Sequence, residues 1–447
     1  MNPNQADRHS YVDGILHGLF VPYALTIVLA LIVAMAAISR NNAHPDEFVH
    51  MLAALYYKQH VLPPELCAPD TIHTYSPYGA SRLNTDEIAY NLAGKFAILM
   101  DVLPLRDYHK LRMFNISLFV LIILMAFARP GFRLVALPLL LSPQVWYVFS
   151  YFNSEGFAVF ITVLLAYQLI EPTSFVRRHL FHRFKRRRFA SLMVLGVLIG
   201  LVLVLKKSFY FFLLFLGMCA LIFAWSAGIK HALKEYAGKT VIVSLLALLV
   251  GGSWIFAHEA VNGFDRWERI KACKEQTAQT AYRLSTPLER TAPTVYWRKK
   301  GKTISDILDT GWASVVYRSA FGYYGYLQIP NSAIHFKILK YLLIGFVGYL
   351  ALSVLIRGER TQRLVILAGL ATALAVFAMA LYKSWTRDFQ PQGRYQFSLF
   401  AVTGFTLAAC QKFYNEKIVF AFVLAIYFMS LKSFIFTGLI EITKATA

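Results

Sequence analysis

Long apolar runs separated by short basic clusters dominate the chain, and they place membrane spans near 15–38, 111–128, 133–150, 156–172, 189–205, 208–227, 239–257, 336–356, 363–382, 395–410 and 417–437. That makes about eleven, several of them near the short end of the roughly 17–25 residues a helix needs to cross a bilayer. The first run follows a polar segment, is too long for a signal-peptide core and precedes no small-residue cleavage site, so it reads as retained. The expected fold class is an all-α membrane protein, one integral membrane domain over 1–447 with no internal repeat and no separate soluble domain.

Composition agrees. Hydrophobic residues make up 57% of the chain and charged residues 15%, against an apolar share of about 45–50% in soluble domains. The formal charge of +21 does not point to nucleic acid, because the bases fall in short clusters between apolar runs, as in the cytoplasmic loops of a membrane protein. With the N-terminus cytoplasmic, the inside loops are Arg129 to Arg133, Arg177 to Arg188, Lys230 to Lys239, Arg357 to Arg363 and Lys412 to Lys417, all basic. An odd number of spans then puts the C-terminus outside. The densest of these runs, Arg177 to Arg188, reads as a topology anchor against anionic lipid heads.

Two long segments lie on the outer side in this scheme, 39–110 and 258–335. Loops of that length without disorder signals are usually functional. The second contains a mixed-charge helical stretch from Asp265 to Arg283 and an amphipathic stretch from Thr303 to Arg318, whose Ile304, Ile307, Leu308, Trp312 and Val315 are expected in the membrane interface. Of four cysteines, Cys219 and Cys410 read as small apolar residues. Cys67 and Cys273 both fall outside, and a bridge between them is the expectation that side and number motivate.

The chemistry sits where polar residues break this pattern. His44-Pro45-Asp46-Glu47-Phe48-Val49-His50 holds two acids and two histidines just past the first apolar run, where charge is costly without a purpose. Capping by Asp46 and Glu47 of a helix begun at Pro45 explains the acids equally well. Lys206 and Lys207 stand at the outer end of a tight hairpin and suit an anionic ligand, or snorkel into headgroups. In the last outer loop, Arg387 and Arg394 would grip a phosphate with paired donors, and Gly393 would let the backbone approach closely. A solvated polar turn is the alternative there. Asn153 and Glu155 form a short turn after the third span, where Asn153 would also serve as a helix cap.

Acids after span one and bases at the outer ends of later spans are what transfer from a lipid phosphate needs. A carboxylate would take the proton of an acceptor hydroxyl, and cations would stabilise charge on the departing phosphate. The chain also resembles the GT-C superfamily of multi-span glycosyltransferases, whose catalytic acid lies in the first outer loop. More narrowly, it resembles a bacterial family of predicted membrane proteins through Pro45-Asp46-Glu47-Phe48-Val49-His50, Asn153-Ser154-Glu155, Lys207-Ser208-Phe209-Tyr210, Phe321-Gly322-Tyr323-Tyr324-Gly325 with Pro330, and Gln392-Gly393-Arg394-Tyr395. It departs from that family in His44, where a second proline is usual, and in Glu155, where aspartate is usual.

The resemblance implies a GT-C-like bundle in a bacterial inner membrane, moving a sugar from undecaprenyl phosphate to a glycan or lipid acceptor on the outer side, with inversion. Lipopolysaccharide O-antigen modification and wall-polymer decoration are the settings it implies. Asp46 would be the general base, with Glu47 as alternative base or orienter. Lys206, Lys207, Arg387 and Arg394 would hold the donor phosphate. His50, Asn153, Glu155, Gln392 and Tyr395 would shape the substrate site. The expected cofactor is none. A divalent metal held by His44, Asp46, Glu47 and His50 is the alternative, although only Glu47 and His50 share a helix face. The order of a zinc-protease helix is absent. The rival function is a transporter or flippase of a lipid-linked sugar, which would call for charges or breaks at mid-membrane and duplicated halves. A non-catalytic partner that binds a glycan precursor is the third.

Overall fold

A computed structural model of the chain describes residues 14–180 and 185–446. The polar N-terminal residues 1–13, and Phe181-His182-Arg183-Phe184 of the densest basic run, lie outside the described residues. Helices dominate, and the only named strands among the described residues are the two-residue pair Tyr323–Tyr324 and Ile329–Pro330, a small hairpin.

Among the described residues seven helices are long and apolar enough to cross a membrane, or eight if a bent pair counts as one span: Phe20–Ile38, Asp107–Ala128, Lys207–Ala227, Lys234–Val261, Ala333–Arg357, Arg360–Thr386 and Glu416–Ile442. The expectation of about eleven spans is corrected at the other four runs. Run 133–150 is no straight helix but the pair Pro130–Leu141 and Pro143–Ser150, bent by 93°, with extended Ser142 between them capping Gln144. Run 156–172 is the 17-residue helix Ser154–Ile170. Run 189–205 is Lys185–Leu203, whose first turn is wholly basic, and run 395–410 is only Ser398–Ala409. Twelve residues reach about 18 Å, short of a hydrocarbon core of about 30 Å. For the runs 133–150, 156–172 and 395–410 the reason is burial, whereas Lys185–Leu203 carries its basic first turn and keeps Phe189, Met193, Val194 and Val197 exposed. From Phe132 to Tyr167 almost every side chain is buried in protein, so this apolarity serves packing between helices, and hydropathy cannot tell that from exposure to lipid.

The two ends of the bundle differ in chemistry. At one end His17 meets the Pro130 carbonyl at 3.2 Å and Gln411 at 2.6 Å, and Arg133 donates to the His17 carbonyl. Thr361 there bonds Ser226 at 2.9 Å, and Glu171, Arg177 and Gln362 line the same small pocket. The basic connections therefore gather on one face. At the opposite end the long segments 39–110 and 258–335 fold onto each other. Cys67 and Cys273 are bonded, Leu66 N–H donates to Asn262 at 2.9 Å, Gln279 N–H to the Pro77 carbonyl at 3.0 Å, and Arg266 pairs with Asp86 at 2.5 Å. Backbone bonds from Tyr296 to Arg387 and from Phe389 to Thr294 bring in the last outer loop.

The amphipathic stretch after Thr303 is also corrected. Ile307, Trp312 and Val316 are buried against Phe377, Ala380 and Leu381, and the Trp312 indole donates to Ser384 at 3.0 Å. Its apolar face clamps the C-terminal end of Arg360–Thr386. Only Ile304 and Leu308 remain exposed.

Candidate functional site

The helix Glu47–Gln59 begins one residue after Asp46 and two after Pro45, so Pro45 precedes the helix instead of opening it. Asp46 has φ 59° and ψ 8°, the left-handed region, and its side chain makes no cap bond. Aspartate tolerates that conformation better than most residues. Its effect is to send two adjacent carboxylates apart. Glu47 turns inward and is fully buried, meeting the equally buried Arg112 through two bonds of 2.7 and 2.8 Å. Asp46 turns toward the cap that the segments 39–110 and 258–335 form with the turn carrying Arg394, where its Oδ2 accepts from Arg394 at 2.8 Å and from Arg82 at 3.2 Å.

Arg394 is the centre of this group. It bridges Asp46 and Glu155, the latter at 3.7 Å, and its Nε donates to Gln392 at 2.8 Å. Lys206 donates to the same Glu155 oxygen and lies 5.8 Å from the Tyr395 ring, which Lys383 approaches to 4.7 Å. The Tyr395 hydroxyl donates to Gln390 at 2.6 Å. Asn153 caps the helix that carries Glu155, accepting from Gly156 N–H at 3.1 Å, while its amide donates to the Val148 and Tyr151 carbonyls. It therefore positions Glu155 and has no donor left for a substrate.

His50 is fully buried, with Nδ1 on the Tyr90 hydroxyl at 2.8 Å. Three atoms of the cluster have no hydrogen-bond partner in the structure: His50 Nε2, Glu155 Oε2 and Arg394 Nη1. Buried polar atoms are rarely left so, and one acceptor, one donor and one imidazole nitrogen suit a polyhydroxyl or phosphate ligand.

The electrostatics follow from the pairing. Burial alone would raise the Asp46 carboxyl, but the Arg394 and Arg82 guanidiniums outweigh it and hold the group at about 2. Burial, then the Arg82 charge, push the His50 imidazole well down, so it is neutral. His44 is neutral for the same first reason, with Arg112 adding to it. Its nitrogens meet Tyr147 and Ser39, both at 2.8 Å.

A cavity of about 650 Å³ opens beside this cluster, lined by Arg82, Lys206, Lys207, Arg266, Lys383 and Arg387 against the acids Asp86, Glu87 and Glu259. One wall is apolar, with Phe211 near the start of Lys207–Ala227 and Val376, Met379 and Ala380 toward the end of Arg360–Thr386. Of the expected phosphate-binding residues, Lys206, Lys207 and Arg387 line the cavity and Arg394 sits at its edge through Tyr395. Arg387 and Lys207 are exposed.

Arg82, Lys383 and Arg266 were not anticipated as site residues. Arg82 carried little signal in the sequence, since it lies among other polar residues of the long segment 39–110. The alternative metal set does not assemble. His44 and Glu47 have their ligating atoms committed elsewhere, and among the described residues no three His, Cys, Asp or Glu side chains gather as a metal group.

Comparison with family models, curated proteins and solved structures finds no match to this chain. The geometry must therefore carry the functional argument.

Gly393 sets that geometry. A Cβ there would lie 2.1 Å from the Ala320 backbone nitrogen, and its N–H donates to Ser319 at 2.7 Å. Gly393→Ala is expected to lift the turn off the helix Trp312–Phe321 and carry Arg394 away from Asp46. A displacement of about 1 Å can cost about 10²-fold in turnover. Steady-state kinetics beside the melting temperature check this, and a fully active Gly393→Ala protein would remove Arg394 from the site.

Proposed function

We propose that the chain is an integral-membrane glycosyltransferase of GT-C type, which moves a sugar from a polyprenyl-phosphate donor to a surface glycan or lipid acceptor at the outer face of a bacterial inner membrane. In this reading the N-terminus is cytoplasmic and no metal takes part. The observation that carries it is the 2.8 Å contact of Asp46 with Arg394 at the edge of a cation-lined cavity with an apolar wall. An anionic headgroup on a long hydrocarbon chain matches both halves of that cavity.

The donor phosphate takes Lys206, Lys207, Arg82 and Arg387, with Arg394 Nη1 as a further donor. Both arginines contact Asp46 through Oδ2, so Oδ1 is left to accept the acceptor's hydroxyl proton. The acceptor oxygen forms its bond to the anomeric carbon as the bond from that carbon to the phosphate oxygen breaks. The polyprenyl phosphate leaves with the electron pair, its charge met by the cations. Asp46 at about 2 is a weak base while both arginines rest on it. The donor phosphate draws them off and leaves burial free to raise the carboxyl, so the base becomes competent once the donor is bound. Glu47 is held by Arg112 and is assigned an anchoring role.

The test supplies the purified protein with undecaprenyl-phosphate sugars and acceptor membranes and measures release of undecaprenyl phosphate. Transfer supports the reading. Lipid that is not consumed but crosses liposome bilayers would replace the enzyme with a flippase.

A further inference from the structure

The cavity approaches Asp46 from the side of Arg82. A second approach, from the outer surface, has a different chemistry. Asp46 is 38% exposed as a side chain, and three aromatic rings stand exposed around it: Phe48 at 47%, Tyr78 at 52% and Tyr326 at 47%. The Tyr326 hydroxyl donates to Asn42 Oδ1 at 2.7 Å, and the Asp46 backbone N–H is directed at the same hydroxyl. Asn42 Oδ1 also accepts from the Phe48 N–H at 3.4 Å. On the other flank Tyr78 packs edge-on against Tyr282 at 4.7 Å, and its hydroxyl is within electrostatic reach of both Asp388 and Asp46. Gln390 donates to Asp388 at 2.5 Å.

We infer that this surface is the acceptor subsite and that its occupant is a neutral saccharide chain. The inference rests on the glycosyltransferase reading and decides between the two acceptor classes left open there. Pyranose rings present an apolar C–H face to an aromatic ring and hydroxyls at their edge. Exposed tyrosines with an amide and carboxylates between them offer both, since tyrosine combines an apolar body with a polar tip. The two approaches also bring donor and acceptor to Asp46 from different sides, as one direct displacement requires.

Mild acid hydrolysis of the source cell's envelope separates a lipid-free polysaccharide from a lipid fraction. Each is offered to the purified protein with undecaprenyl-phosphate sugars. The polysaccharide is expected to be glycosylated. In Tyr78→Ala, Tyr326→Ala and Phe48→Ala its KM should rise about tenfold, by more than kcat falls, and Tyr78→Phe and Tyr326→Phe should recover most of that rise. Three separate positions guard against one variant that fails to fold. Glycosylation of the lipid fraction alone, or KM values that ignore loss of the rings, would overturn the acceptor subsite while leaving the enzyme reading intact. Absence of donor consumption with either fraction would overturn both.

Discussion

Asp46→Asn is expected to cut sugar transfer by about 10²–10⁴-fold, the usual contribution of a positioned general base, while the donor lipid binds as well as before or better. The second half follows from charge. Asp46 rests on Arg394 and Arg82, so removing its negative charge leaves two guanidiniums free for the donor phosphate. The paired measurements are release of undecaprenyl phosphate and equilibrium binding of the same lipid. Full turnover, or donor binding lost together with turnover, would each remove Asp46 from the role of base.

The pH behaviour of Asp46 adds a condition. Its folded carboxyl, at about 2, lies below the ordinary 3.8. The stability this pairing contributes is thus complete above about 3.8 and is lost as pH falls through about 2. In the donor-free protein Asp46 therefore gives no acid limb between pH 7 and 5.

The candidate site was legible in the sequence to the extent that charge on the outer side contradicts the positive-inside pattern. Lys206, Lys207, Arg387 and Arg394 stood out for that reason, and Asp46 as a charge just past the first apolar run; the first three line the cavity and Arg394 joins Asp46 beside it. Arg82 did not stand out, because it lies among other polar residues of a long loop with no apolar run beside it. The bridge between Cys67 and Cys273 was suggested by side and number alone, and it is present. The inner helices were misread for a physical reason: an apolar run packed on all sides by protein has the same composition as one packed by lipid. The 93° bend within 130–150 leaves Pro138 and Pro143 as its only local signs. Which of two adjacent acids faces the cap depends on the left-handed turn at Asp46, and nothing in the pair Asp46-Glu47 fixes that conformation in advance.

Glu47→Gln is expected to destabilise the protein by about 3–5 kcal/mol, the cost of leaving one member of a buried ion pair without its partner. Arg112 is 1% exposed and Glu47 0%, so no water reaches the guanidinium once the carboxylate is gone. The loss should appear as a lower melting temperature in detergent, while the fraction that stays folded keeps its turnover. If Glu47→Gln instead melts normally and transfers no sugar, Glu47 is the base and the assignment of Asp46 fails. Arg112→Lys tests the same anchor from the other side. Arg112 also donates to the Ala36 and Ser39 carbonyls at 2.8 Å and the Arg40 carbonyl at 2.9 Å, closing the end of the helix Phe20–Ile38. A lysine ammonium has three donors and no planar fork, so it cannot meet both Glu47 oxygens and these carbonyls together. Arg112→Lys should therefore loosen the turn 39–46 and lower donor affinity along with stability, which Glu47→Gln, acting on the carboxylate alone, should not do.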